Sequence, residues 1–193
     1  MERAIMSGND QTKKVFCDRR DILKASLLAG AALLVHSVPA LGAETVATSV
    51  NHPEDASGQF LRSMNCSQAI LETYAPSMGI SVELARRVAA AFAGGMGMGT
   101  ECGAVTGAFM VIGLKYGKIE DKDAGADEKT FSKVAEFVKE FKARHEHLGC
   151  SELLGVNMAT PEGVKEAAGK GLFTTACPKF VQSAAEILDK ILA

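Results

Sequence analysis

Five glycines fall within ten residues of this chain, in Gly94-Gly95-Met96-Gly97-Met98-Gly99-Thr100-Glu101-Cys102-Gly103. Glycine at this density cannot hold the interior of a helix or strand, because each one loses more backbone freedom on folding than any other residue. The stretch therefore reads as a loop whose backbone passes close to something, and it ends by delivering Cys102. The next segment, Ala104–Tyr116, is strongly apolar. It is long for a strand and short of the roughly 20 residues a membrane helix needs, so it reads as a buried helix. Gly103 and Gly107 lie four apart and would open one face of that helix to another backbone.

The remaining pattern is helical throughout. Phe60, Leu61, Met64, Ile70, Leu71 and Tyr74 stripe one side of a helix that Pro76 and Gly79 end. Ser81 is placed to cap a helix over Val82–Ala93, with Leu84, Val88 and Phe92 spaced by four. Residues 121–127 form a charged linker. Thr130–His147 is amphipathic, with Phe131, Val134, Phe137, Val138 and Phe141 on one stripe. Thr160-Pro161 marks the start of a short helix. Cys177-Pro178 opens a last one to Leu192, with Phe180, Val181, Ala184, Ile187, Leu188 and Ile191 inward. No alternating strand pattern appears. The expected fold is all-α, a bundle of about five helices spanning residues 57–193.

Ahead of this domain, residues 1–43 read as an export leader. Arg19-Arg20 and Lys24 precede a moderately apolar run, Ala25–Val38, and small residues close it at Pro39–Ala43. That order of basic, apolar and small residues belongs to a cleaved signal, here similar to the twin-arginine type. Cleavage is expected between Ala40 and Glu44, which removes Cys17. Residues 44–56 are polar and unpatterned and read as a flexible tether. The expected location is the periplasm or otherwise outside the cytoplasm, with the membrane touched only through the leader. Twin-arginine export carries folded proteins, which suits a cofactor inserted beforehand.

Four cysteines then remain: Cys66, Cys102, Cys150 and Cys177. None forms a Cys-x-x-Cys pair, so a thioredoxin-type motif and a zinc ribbon are absent, as is the Cys-x-x-Cys-His of covalent haem. Three share a position. Cys102 sits where the Gly-rich loop enters a helix, Cys150 opens the short run Ser151–Leu154, and Cys177 sits at a predicted helix start. Cys66 is expected inside the first helix. Helix N-termini favour thiolates and anionic thiolate-ligated centres. Four thiolates is the ligand count of an iron–sulfur cluster or of a closed zinc site. Two disulfides, in any of three pairings, and buried free thiols are the alternatives that spacing leaves open.

The run Cys102-Gly103-Ala104-Val105-Thr106-Gly107, with Cys66 before it and Cys150 and Cys177 after it, resembles the signature of the C_GCAxxG_C_C family, described as redox-active. The similarity covers roughly Ser57 to Leu192. It implies a helical domain with a redox or iron-binding role in which these four cysteines act together. A related domain occurs in split-Soret-type cytochromes beside haem motifs. This chain lacks the haem part, so haem is not expected.

The function expected is an exported redox protein holding an iron–sulfur centre, or less readily zinc, through Cys66, Cys102, Cys150 and Cys177, and transferring electrons to a partner protein. A thiol–disulfide protein and a disulfide-stabilised accessory domain are the other readings, and a homodimer is compatible with all three. Enzymatic turnover is not required. A net charge of −2 and the absence of Trp argue against a nucleic-acid partner. His145 and His147 read as polar residues at a helix C-terminus, Met96 and Met98 as gap-fillers, and Glu101 as a solvated carboxylate.

Overall fold

A computed structural model describes residues 51–193; the leader, Cys17 and most of the tether lie outside the described residues. The class is all-α, and among the described residues no strand forms. Helices outnumber the five expected: α1 (His52–Ser63), α2 (Cys66–Tyr74), α3 (Val82–Ala89), α4 (Gly103–Tyr116), α5 (Ala124–His145), α6 (Cys150–Leu154), α7 (Pro161–Gly169), α8 (Leu172–Thr175) and α9 (Cys177–Leu192). None is long and apolar enough to cross a membrane.

Two causes account for the larger number. The first expected helix is broken at Met64, which takes a left-handed conformation (φ 53°) and ends α1. Asn65 then caps α2, its side chain accepting from the Gln68 N–H at 3.0 Å. The second cause is the stretch between Cys150 and Cys177, which folds into the short helices α6, α7 and α8. Helix α1 also starts earlier than expected, at His52, because Pro53 is preformed for a first helical turn.

The main core packs α1, α2, α4, α5 and α9 around Ile70, Val105, Ile112, Phe137, Phe141, Ile187 and Leu188, all buried. A smaller cluster, Cys150, Leu154, Val156, Met158 and Ala167, packs under α7 and α8. Polar groups pin the elements at their edges. Tyr74 Oη lies 2.8 Å from Asp189 Oδ1 and 2.9 Å from the Ala185 carbonyl, tying α2 to α9. The buried Glu72 carboxylate accepts both Arg86 Nε (2.9 Å) and Gln59 Nε2 (2.7 Å), joining α1, α2 and α3. Helix α3 turns its small residues inward: Ala85 and Ala89 are buried, while Leu84 and Val88 are exposed, the reverse of the expected stripe. On α5, Phe137 and Phe141 are buried as expected but Phe131 is 69% exposed.

Helices α2 and α4 approach closely at the glycines of α4. A Cβ on Gly107 would stand 3.0 Å from Ile70 Cβ and 3.0 Å from the Ser67 carbonyl oxygen. Gly107→Val would therefore force these helices apart. It should destabilise the domain by about 1–3 kcal/mol, read as a lower urea midpoint with an unchanged m-value.

Candidate thiol centre

All four cysteines stand at helix starts. Cys102 is the N-cap of α4, and Cys66, Cys150 and Cys177 are the first residues of α2, α6 and α9. The placement of Cys66 corrects the expectation that it lies inside a longer helix. Asn65 ahead of an apolar run was the available signal, a favoured N-cap residue in the right place; the break itself falls at a methionine and had no glycine to mark it.

Each thiol reaches the same place by a different route. The Gly-rich loop coils tightly, with positive φ at Gly94, Gly95, Met96, Gly97 and Gly99. It returns the chain to an antiparallel bridge between Glu101 and Gly149. There the Cys102 N–H donates to the Leu148 carbonyl (2.8 Å) and the Cys150 N–H donates to the Thr100 carbonyl (2.6 Å). This pairing fixes Cys102 beside Cys150. Cys66 is brought up by the α2–α4 approach, and a Cβ on Gly103 would meet its sulfur at 2.5 Å. Cys177 arrives on α9 and packs against both hydrophobic clusters.

The four cysteines line one cavity of about 370 Å³. Its other walls are Phe60, Met64, Ala93, Gly94, Gly97, Leu153, Leu154, Met158, Val164, Phe173 and Phe180. No lining side chain carries nitrogen or oxygen, so sulfur is the donor type the walls offer. Cys66, Cys102 and Cys150 are buried and Cys177 is partly exposed. All four are free thiols. Among the described residues, no three Cys, His, Asp or Glu side chains converge on a point suited to a single metal ion.

Electrostatics divide the set. The Cys102 thiol, hydrogen-bonded to Cys66, holds the Cys66 pKa down to about 7 against the opposing effect of burial; the N–H groups of Gly94, Cys66 and Gly103 add to the lowering. Cys102 is correspondingly pushed up, first by that same hydrogen bond and then by burial. Burial, followed by the charge on Cys66, raises Cys150 to about 12. The same two causes in the same order raise Cys177 to about 12, with a further contribution from Cys150. In the metal-free protein one thiolate is therefore favoured, and it is Cys66.

The other candidates lie elsewhere. Met96 and Met98 are absent from the cavity wall, and Met98 is 60% exposed. Glu101 and His147 line a separate polar cleft on the other side of the bridge, with Lys142, Glu146 and Glu152. The His145 ring rests against Phe141 and Phe180, and its Nε2 is buried without a partner. Burial, then Arg144, lowers its pKa. The apolar part of the cavity, including Met64 and Met158, was not evident from periodicity, because its residues come from five helices and the connecting segments.

The fold and these thiols define an all-α domain built around one four-cysteine cavity. The chain belongs to the family described as "Putative redox-active protein (C_GCAxxG_C_C)", whose model matches residues 64–191. That span opens at the α1–α2 break and closes in the last turn of α9. No curated protein and no solved structure matches the chain.

The thiol pKa values carry a direct consequence. In metal-free reduced protein, one thiolate should appear as pH rises through about 7, followed by its absorbance near 240 nm or by pulsed alkylation. Cys66→Ser should remove that step. Cys150 and Cys177 should stay unreactive up to about pH 10, two units below their raised values.

Proposed function

We propose that this protein is an exported electron carrier in which Cys66, Cys102, Cys150 and Cys177 hold an iron–sulfur cluster. One observation carries the reading: four cysteines from four separate helices face one cavity whose walls offer only sulfur as a side-chain donor. Thiolates in that number are the usual ligands of [2Fe–2S] and [4Fe–4S] centres. The N–H groups at Cys66, and the N-termini of α2, α4 and α9, supply the positive potential an anionic cluster needs. The apolar walls keep water away, which is one of the means by which proteins set a cluster's potential.

Iron and sulfide in matching amounts, with visible charge-transfer absorption, are expected in protein made and purified without oxygen. Cys102→Ser should lose both. A colourless, iron-free sample would rule the cluster out.

A second reading, thiol–disulfide exchange, draws on a specific contact. The Cys102 thiol is the largest influence on the Cys66 thiol, and both are free. Attack by the Cys66 thiolate on a disulfide partner, resolved by Cys102, would leave the two protein sulfurs bonded and the partner as two thiols. A mass loss of two hydrogens confined to this pair in iron-free protein would favour it.

The reading as an exported protein rests on Arg19-Arg20 and the apolar run Ala25–Val38. Replacing both arginines by lysine should leave the uncleaved chain in the cytoplasm, detected by fractionation and mass.

A further inference from the structure

The cavity is larger than its thiols require. An iron–sulfur core of about four to eight atoms is of the same order as benzene, which an apolar cavity of about 150 Å³ accepts. The cavity here is about 370 Å³. Its parts also differ in depth. Cys66, Cys102 and Cys150 are buried, whereas Met64, Gly97 and Val164 are exposed and edge the mouth. Leu154 and Met158 are as buried as these cysteines, and Phe173 is half-buried.

Three properties of this outer part decide what fits it. Met64, Leu154, Met158, Val164 and Phe173 carry no side-chain nitrogen or oxygen, so this part of the wall offers a polar or ionic occupant no side-chain partner. Phe173 offers an aromatic surface, and Met64 and Met158 are adaptable side chains that reshape around an occupant. The volume lies within the range of small-molecule pockets.

We propose that the outer part of the cavity binds a small uncharged apolar molecule, held among Met64, Leu154, Met158, Val164 and Phe173 with the thiol centre at its inner end. The placement of a metal centre beside the ligand rests on the cluster reading; the ligand site itself rests on the shape and lining of the cavity. A redox centre at the floor of an apolar vestibule places such a molecule next to the thiols rather than at a remote surface.

Benzene serves as the probe, tested on the full chain with and without iron. At about five times its dissociation constant, it should raise the melting temperature of both forms by about 2–4 °C. Val164→Phe fills the mouth from an exposed position on α7 and should abolish the shift, while Val164→Ala should retain it. Protection of neither form would overturn the proposal. So would protection of the iron-free chain alone, since the metal centre would then occupy the whole cavity. A chain that never takes up iron would defeat the cluster reading. Benzene protection lost in Val164→Phe would still establish the ligand site in that case.

Discussion

The close approach of α2 and α4 is the constraint on which the site depends. It exists because two residues on one face of α4, Gly103 and Gly107, carry no side chain. A Cβ on the first would collide with the Cys66 sulfur, and one on the second would press on Ser67 and Ile70. Ser67, buried directly after Cys66, bonds to the Ala89 carbonyl at 2.8 Å and seats the same junction on the end of α3. The two glycines of the Cys-Gly-Ala-x-x-Gly run are thus contact surfaces, and the chemistry of the neighbouring cysteine depends on the packing they permit.

Within the cavity, burial and hydrogen bonding act on the thiols in opposite directions, and the balance differs from one sulfur to the next. At Cys66 the Cys102 thiol and nearby N–H groups outweigh desolvation. At Cys150 and Cys177 desolvation prevails, and the charge on Cys66 adds to it. The metal-free cavity therefore favours one thiolate among its four sulfurs. A bound cation would reverse this, because its charge would compensate the thiolates that apolar walls otherwise disfavour. The Cys66–Cys102 contact suits dithiol chemistry when metal is absent.

Much of the fold was legible from periodicity. The buried helix from Ala104, the Phe137 and Phe141 stripe and the inward face of α9 are all given by spacing. Where reading failed, local signals were weak or misleading. Met64 adopts a left-handed conformation that is unfavourable for a side-chain-bearing residue, so no glycine marks the break before Cys66, and the N-cap residue Asn65 is the local signal left. Leu84 and Val88 match a core stripe by period, yet α3 turns Ala85 and Ala89 inward and leaves Leu84 and Val88 exposed. The Glu101–Gly149 bridge joins segments far apart in sequence and leaves no local pattern.

From the sequence alone come the helical class, the tight glycine loop, the four cysteines as a set and their tendency to stand at helix starts. These are matters of backbone propensity and residue spacing, which act over a few residues. The tertiary structure decided that Cys66 joins the other three at a helix start, that all four face one cavity, and that this cavity is walled by apolar side chains. It also decided which thiol ionises first. Those outcomes depend on desolvation and on contacts between residues tens of positions apart, which arise only once the helices have packed.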